Sequence, residues 1–333
     1  MTAFALGGEL LASQLVPHLA AVEERLARET ARAGDLTDDP ASHLARAGGK
    51  RLRPVLTLLA AQLGQGVNDE VLTAAVAVEV THLATLYHDD VMDSAPLRRG
   101  APAAHEVWGN SVAILTGDLL LARASRLVAE LGPEAVHIQA VTFERLCLGQ
   151  LHEALRRPEG TDPVEHYLSV LADKTGSLIA TSARYGALFG GAGPEVADIV
   201  ARYGEKVGVA FQLADDVIDL VSDSDTTGKT PGTDLREGVD TMPVLLLRQR
   251  AAAGTLDDVG GAVLARLDAG DLDSDAALRA VVAELRGHDV VDEARAMARR
   301  WADDAAAELD VLPAGEVRDA LAAFATMLVD RMA

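Results

Sequence analysis

The sequence has little of several features that define other protein classes. Of its 333 residues, one is a cysteine, Cys147, and 3% are aromatic. A single cysteine forms no internal disulfide, and the N-terminus lacks the basic and apolar segments of a secretory signal, so we expect a cytoplasmic protein. No stretch reaches the roughly 18 consecutive apolar residues of a membrane-spanning helix. The sequence therefore predicts no transmembrane segment.

Basic residues are also scarce. Thirty Lys and Arg stand against 51 Asp and Glu, which gives a formal charge of -21. Such a surface repels phosphate backbones, so we expect no nucleic-acid partner. Hydrophobic residues make up 49% of the chain and charged residues 24%. This composition supports a large core and argues against intrinsic disorder.

Apolar residues recur every three or four positions through nearly the whole chain, and no segment shows the alternation typical of a strand. The pattern predicts an all-α fold. Because no linker or repeat divides the chain, it also predicts a single helical domain over 1–333. The predicted helices are 8–33, 40–64 with a break at Gly48-Gly49, 68–91, 104–131, 133–156, 163–190, 195–221, 239–253, 256–269, 273–286, 288–309 and 314–331.

Two acidic clusters with the same DDxxD spacing each end a long apolar helix. Residues four apart lie on one helix face, so Asp89 and Asp93 point together, as do Asp215 and Asp219. Carboxylates one turn apart at the negative end of a helix dipole repel each other, so we expect a cation to bind between them. Oxygen ligands without a nearby His or Cys set favour Mg²⁺. The clusters therefore predict metal sites; the alternative for either one alone is a solvated acidic surface.

Loops that carry cations follow both clusters. Arg98 and Arg99 lie in the first, Ser94–Ala103, and Lys229 lies in the second, Ser222–Gly238. Carboxylates hold a metal, the metal bridges phosphate, and Arg or Lys side chains bind the remaining phosphate oxygens. The arrangement predicts a diphosphate ligand.

A third polar group precedes the first cluster. Lys50, Arg51 and Arg53 follow a Gly pair at the start of a predicted helix, and a helix N-terminus flanked by cations binds anions. His82 lies two turns before Asp89 on the same face. Lys50, Arg53, His82 and Arg99 together suggest a second, metal-free diphosphate site. A solvated basic turn and a packed core histidine are the alternatives.

Two further motifs lie near the second cluster. Lys174-Thr175-Gly176 interrupts a helical pattern, and such a bend turns Lys and Thr toward a cavity. Gln212 lies three residues before Asp215, within reach of a ligand bound there. Purely structural roles stay open for all of these residues.

Taken together, these motifs resemble those of the trans-isoprenyl (polyprenyl) diphosphate synthase family, and most of all its bacterial long-chain members. The resemblance rests on GGKRLRP at 48–54, HLATLYHDDVMDSAPLRRG at 82–100, KTG at 174–176, and FQLADDVID and GKTPGTDLREG within 211–238. It implies an all-α bundle of about 12–13 helices around a deep central cavity, normally a homodimer. The implied reaction joins an allylic diphosphate to isopentenyl diphosphate with roughly three Mg²⁺ ions.

The resemblance also implies a role for each motif. The metal ligands, which are also catalytic, would be Asp89, Asp90, Asp93, Asp215, Asp216 and Asp219. Isopentenyl diphosphate would be bound by Lys50, Arg53, His82 and Arg99. The allylic diphosphate would be bound by Arg98, Lys174, Thr175, Gln212 and Lys229, with Lys174 also catalytic.

Product length depends on what lies below the first cluster. Ala84 and Thr85 stand where short-chain members carry aromatic residues, and Thr81 and Val78 continue down the helix. One turn is about 5.4 Å, close to one extended isoprene unit, so these small residues predict a product of roughly six to ten units. The apolar product implies transient membrane contact at its release. A geranylgeranyl or farnesyl diphosphate synthase, a class I terpene cyclase and a non-catalytic subunit stay open as alternatives.

Overall fold

The computed structural model describes residues 9–31, 38–155, 157–221, 231–270, 272 and 274–331. A π turn, Ala172–Gly176, and a 3-10 turn, Leu309–Val311, accompany the α-helices. The helices are α1 Glu9–Thr30, α2 Asp38–Arg46, α3 Leu52–Ala61, α4 Asp69–Met92, α5 Ala104–Trp108, α6 Asn110–Glu130, α7 Pro133–Ala154, α8 Pro163–Leu171, α9 Ser177–Phe189, α10 Pro194–Val221, α11 Thr233–Arg236, α12 Met242–Ala253, α13 Asp258–Asp268, α14 Asp275–Arg286, α15 Asp289–Glu308 and α16 Glu316–Asp330.

The prediction of an all-α fold is confirmed, with one correction. Two strands of two residues each, β1 Leu97–Arg98 and β2 Ala101–Pro102, pair antiparallel inside the predicted loop 94–103. Arg99 and Gly100 join them with φ of 55° and 79°. Positive φ at both central residues is typical of the tight turns that close β-hairpins. Strands this short show no alternating pattern, which is why the sequence did not reveal them.

Interruptions divide three of the predicted helices. The break at Gly48-Gly49 falls between α2 and α3, as expected. The predicted helix 104–131 is two helices, because Gly109 has a φ of 83° and a ψ of 160°. The predicted helix 163–190 contains the π turn, which places the interruption at the Lys-Thr-Gly motif.

The contacts of the chain group it into two compact units. The first comprises Met1–Arg145, Ser177–Gly204 and Glu308–Ala323, and the second comprises Leu146–Gly176, Glu205–Ala307 and Phe324–Ala333.

Helix α4 is the centre of the first unit, where α1, α3, α6 and α9 pack against it. Asn68 caps its start by accepting a hydrogen bond from the Val71 N–H at 2.9 Å, and Asp69 and Glu70 follow in the first turn. An oxygen cap and early acids both favour a helix N-terminus. Because α4 is mostly apolar and packs against four helices, its C-terminal acidic cluster has a well-packed support.

Glycines let α9 approach α3 closely in the same unit. A Cβ atom on Gly186 would come within 2.1 Å of the Thr57 carbonyl oxygen, and one on Gly190 within 2.7 Å of the Ala61 Cα. No side chain fits at these distances. The close approach fixes α3, which begins at the basic GGKRLRP segment.

By length and composition, α4 is also the one helix among the described residues that could cross a membrane. In its most apolar window, 72% of the residues are buried inside the protein. This burial is what the core helix of a folded domain requires.

In the second unit, α8 and α13 pack against α12. The π turn lies against two glycines. A Cβ on Gly208 of α10 would come within 2.5 Å of the Gly176 Cα, and one on Gly149 of α7 within 2.6 Å of the Lys174 nitrogen. The Lys-Thr-Gly backbone is therefore fixed by close packing at both ends.

Candidate active site

The first acidic cluster lies at the C-terminal end of α4. Asp89 is half-buried in the last turn and Asp93, the residue that ends the helix, is exposed. The Asp93 N–H donates to the Asp89 carbonyl at 2.8 Å, so these residues stack one turn apart. The structure thus leaves a pair of carboxylate-bearing residues on one helix face, beside solvent.

Asp90 lies on a different face and is fully buried. Arg98 of the β-hairpin donates from Nε to Asp90 Oδ1 at 2.6 Å, while Asp90 Oδ2 has no hydrogen-bond partner. Burial raises the pKa of Asp90, although the charge and hydrogen bond of Arg98 act in the opposite direction. The family resemblance implied a metal role for Asp90 and a diphosphate role for Arg98; in the structure the two side chains pair with each other. This ion pair holds the hairpin against α4.

Arg51 organises the basic segment and received no separate role in the sequence analysis. It adopts a left-handed backbone conformation, with a φ of 53°, and its side chain is buried. Its guanidinium donates to Glu79 at 2.9 Å, to Glu23 at 2.6 Å and to the Ala45 carbonyl at 3.0 Å. Burial alone would lower the pKa of Arg51, but its two carboxylate partners outweigh burial and raise it. Glu79 is the one acidic residue in the apolar middle of α4, and its isolation there was the sequence signal for a buried basic partner such as Arg51.

Arg53, by contrast, is half-buried, and no carboxylate of the described residues pairs with it. Its Nε has no hydrogen-bond partner. Burial lowers the pKa of Arg53 to about 10, against the charge of Glu79, and the nearby Arg99 lowers it further. An unpartnered cation in such surroundings is electrostatically costly unless an anion joins it.

His82 and Arg99 complete this cationic group. Burial, followed by the charges of Arg53 and Arg99, holds the pKa of His82 well below its usual range, so the ring is neutral. Arg99 donates to the Leu44 carbonyl at 3.1 Å and also to the Gly48 carbonyl. A Cβ on Gly49 would come within 2.9 Å of the Arg99 guanidinium carbon, so the glycine admits this contact.

Lys50 is exposed at the edge of the same segment. We call Lys50, Arg53, His82 and Arg99 the cationic pocket. Its composition suits an anion with several oxygen atoms, because two guanidinium groups and an ammonium group carry positive charge and a neutral imidazole can donate a further hydrogen bond.

The second acidic cluster lies near the C-terminal end of α10. Arg331 donates to Asp215 Oδ1 at 2.8 Å and stacks over the Phe211 ring at 4.8 Å. The Asp234 N–H donates to Asp219 Oδ2 at 3.4 Å. Asp215 and Asp219 are both half-buried, so they form the more accessible pair.

Asp216 repeats the pattern of Asp90. Both of its oxygens accept hydrogen bonds from the Tyr167 hydroxyl, at 2.9 and 3.0 Å, and the Met242 N–H donates to Oδ2 at 3.1 Å. Burial raises the pKa of Asp216 to about 8, although those two donors act to lower it. The family resemblance implied a metal role for Asp216; in the structure its contacts tie α8 and α12 to α10.

The remaining predicted binding residues fall in several places. Lys174 pairs with Glu153 of α7, and Thr175 is buried in the π turn. Gln212 is half-buried on α10, one turn before Asp215. Lys229 lies outside the described residues. π turns of this kind occur frequently at functional sites.

Comparison with known proteins identifies this arrangement. The sequence pattern of the polyprenyl synthetase family matches residues 35–261. A nonaprenyl diphosphate synthase of Mycobacterium tuberculosis is 46% identical over 98% of this chain and 96% of its own length.

The chain belongs to the polyprenyl synthetase family. The family predicted from the motifs is thereby confirmed, and this polyprenyl synthetase is a trans-prenyltransferase. Component 2 of a heptaprenyl diphosphate synthase from Geobacillus stearothermophilus is 37% identical over 93% of this chain and 94% of its own length. A geranylgeranyl pyrophosphate synthase from Corynebacterium glutamicum, crystallised with calcium and isoprenyl diphosphate, superposes with a TM-score of 0.85 at 43% identity, over 98% of both chains.

Divalent metal binding is a property of this family, and the donors present fit it. Among the described residues, no three His, Cys, Asp or Glu side chains come together to enclose an ion. Each accessible pair, Asp89 with Asp93 and Asp215 with Asp219, instead offers hard oxygen ligands only. Mg²⁺ commonly binds one or two carboxylates and completes its shell with water and substrate phosphate.

The predicted chain-length residues show an abrupt change in exposure along α4. Thr85 is half-buried, whereas Thr81, Ala84 and Val78 have 0% exposure. Residues that line an open tunnel as wide as a water molecule would have accessible surface. In this conformation, accessible space along this face of the polyprenyl synthetase therefore ends near Thr85.

Proposed function

We propose that this enzyme joins isopentenyl diphosphate to an allylic diphosphate, head to tail and in trans, and repeats the step to make a long-chain polyprenyl diphosphate. The observation that carries the proposal is the cationic pocket, in which the buried Arg53 Nε has no partner. A cyclase needs no second diphosphate site. The cationic pocket is made of basic residues, whereas the metal pairs are acidic, so it would bind a second diphosphate without metal. Two diphosphate sites favour a condensation of two substrates.

Mg²⁺ would be held by Asp89 and Asp93 at one cluster and by Asp215 and Asp219 at the other. When bound, the metal supplies positive charge that stabilises a departing diphosphate. Asp90 and Asp216 would act by positioning, since both are buried as well as hydrogen-bonded to protein donors, whereas Asp215 and Asp219 keep accessible surface. Lys174, Thr175, Gln212 and Lys229 would bind the allylic diphosphate, as the family resemblance of their motifs implies.

The cationic pocket would orient isopentenyl diphosphate. Arg53 and Arg99 would neutralise its charge, and neutral His82 would donate a hydrogen bond to a diphosphate oxygen through its one ring N–H. The isopentenyl double bond then attacks the allylic carbon as its diphosphate leaves. One proton is lost to the released diphosphate, so no side-chain base is required. Buried apolar surroundings exclude water from the cationic carbon.

A product of roughly six to ten isoprene units agrees with the small residues Ala84 and Thr85 below Asp89. The names of the nonaprenyl and heptaprenyl relatives also support it. The similarity to the geranylgeranyl pyrophosphate synthase from Corynebacterium glutamicum supports a second candidate product, which has four isoprene units. The accessible space that ends near Thr85 fits the shorter product in this conformation, so chain length must be measured directly.

The direct test supplies the purified protein with Mg²⁺, labelled isopentenyl diphosphate and farnesyl diphosphate, and analyses the products by mass. We expect label in linear prenyl diphosphates longer than the primer, and none when a chelator removes the metal. Cyclic hydrocarbon without label would indicate a terpene cyclase. No conversion of either substrate would contradict the proposal.

We also propose a homodimer, on the basis of apolar side chains that the fold leaves uncovered on α6. Leu115 is 65% exposed, and Val112 and Ile114 beside it are 38% and 42% exposed. Contiguous exposed apolar surface is typical of an interface. Light scattering should give twice the 34.9 kDa chain mass, and Leu115→Asp should shift the protein toward monomer.

A further inference from the structure

A buried polar layer crosses the first unit below its acidic cluster. The Gln139 side chain of α7 donates from Nε2 to Thr81 Oγ1 of α4 at 2.9 Å. One turn further along α7, the Thr142 hydroxyl lies 2.6 Å from that of Thr181 on α9. All four residues are less than 9% exposed. The layer interrupts walls that are otherwise made of Leu, Val and Ala.

Gln139 differs from the threonines of this layer because its hydrogen bonding is incomplete. Its Oε1 is buried and has no partner. The Thr81 and Thr142 hydroxyls, by contrast, donate to backbone carbonyls at 2.8 and 2.7 Å, as threonine commonly does within a helix. Native interiors rarely leave a buried amide oxygen unpaired, so its presence needs an explanation.

The position of the amide suggests one. Thr81 lies eight residues before Asp89 on α4, or about 12 Å along the helix axis. Thr85, halfway between them, is half-buried, but Thr81 has 0% exposure. The Gln139 amide covers the Thr81 hydroxyl at the level where accessible space along the helix ends. A chain that grew down this face past Thr85 would therefore reach the level of Gln139 about one turn later.

We propose that Gln139 determines product length, by closing the product pocket at Thr81 until the growing chain displaces its amide. The proposal rests on the elongation function proposed above. One hydrogen bond holds the amide closed, and its oxygen loses no partner when the side chain rotates away. The side chain is unbranched and flexible, so rotation does not require the helices to move. An apolar prenyl chain then replaces a polar group that is only partly satisfied in the closed state.

The test compares Gln139→Ala and Gln139→Phe with wild type. Thr81 lies about one turn, or one isoprene unit, below Thr85, where a Phe is expected to stop growth at about fifteen carbons, so Gln139→Phe should stop growth near twenty carbons. Gln139→Ala should lengthen the mean product by about one unit or more, and deplete products of three to four units. Thr142→Val is the matched control: it removes a buried hydroxyl from the same layer without touching Thr81, and should leave the product distribution unchanged.

Equilibrium binding provides a readout that does not depend on turnover. The Kd values of geranylgeranyl and farnesyl diphosphate are measured with Mg²⁺ and without isopentenyl diphosphate. Gln139→Phe should raise the ratio of the geranylgeranyl Kd to the farnesyl Kd by about tenfold, and Gln139→Ala should lower that ratio. If Gln139→Phe does not fold, Gln139→Leu, which keeps the bulk without the amide, should bring the ratio closer to that of Gln139→Ala than to wild type.

The two proposals fail in different ways. If wild type never incorporates isopentenyl diphosphate, elongation is wrong, and the binding ratios still test Gln139. If wild type elongates but the Gln139 variants keep its product lengths and binding ratios, Gln139 has no role in length. An equal shift in Thr142→Val would also overturn the proposal, because it would trace the effect to general loosening of the layer.

Discussion

The contrast between Arg51 and Arg53 yields the sharpest prediction. These arginines lie two residues apart, but Arg51 is buried and binds two carboxylates, whereas Arg53 is half-buried and pairs with no carboxylate of the described residues. Replacing each with Met keeps length and apolar bulk and removes the charge. We expect the first substitution to damage the fold and the second to damage substrate binding.

The magnitudes follow from the partners left behind. Arg51→Met leaves Glu79, whose residue is 1% exposed, as a buried charge without its counterion. Breaking such a pair costs about 3–5 kcal/mol of the free energy of unfolding. Arg53→Met leaves no buried anion and removes repulsion with Arg99, so the free energy of unfolding should change by less than about 1 kcal/mol. Loss of a charge-assisted contact should weaken the binding of isopentenyl diphosphate by about 1.5–3 kcal/mol, which raises its Kd roughly tenfold to a hundredfold.

Urea titration and isothermal titration with isopentenyl diphosphate separate these effects. Wild type and both variants are measured in the same buffer, and the allylic diphosphate serves as the control ligand for Arg53→Met. The reasoning would be refuted if Arg53→Met lost as much stability as Arg51→Met and bound isopentenyl diphosphate as wild type does.

Three further predictions concern the acidic clusters and the product pocket. Asp89→Ala or Asp215→Ala should lower turnover by orders of magnitude at saturating Mg²⁺ with little change in the melting temperature, because each removes an accessible carboxylate; wild-type rates would rule out metal binding there. Asp216→Ala should instead reduce the free energy of unfolding by about 1–3 kcal/mol in a urea titration, because it leaves a buried phenol and a backbone N–H without their acceptor; unchanged stability would contradict the positioning role. Thr85→Phe should stop products at about fifteen carbons and Thr81→Phe about one unit later, with Thr85→Ser as control; wild-type lengths in both would show that this helix face does not contact the growing chain.

Local pattern was enough to predict what depends on helix periodicity. The i and i+4 placement of Asp89 and Asp93, the break before α3 and the interruption at Lys174 all follow from residues near each other in sequence. Partner choice does not. Arg51 meets Glu79 across 28 residues, Tyr167 meets Asp216 across 49, and Gln139 meets Thr81 across 58.

Those long-range pairs changed the interpretation of the acidic motifs. Spacing singled out Asp89 with Asp93 and Asp215 with Asp219, and the resemblance added Asp90 and Asp216, because helix geometry says which residues share a face but not what covers that face. Packing of the hairpin and of α8 and α12 supplies the donors that occupy Asp90 and Asp216. The hairpin itself was missed because its strands are too short to carry a pattern.

The most direct test of the central claim is whether the two diphosphates differ in their need for metal. The cationic pocket contains no acidic pair, so titration calorimetry should show isopentenyl diphosphate binding to the protein in the presence of a chelator. The allylic diphosphate should bind only when Mg²⁺ is added. If the chelator abolishes isopentenyl diphosphate binding, or if the allylic diphosphate binds equally well without metal, the assignment of two distinct sites is wrong.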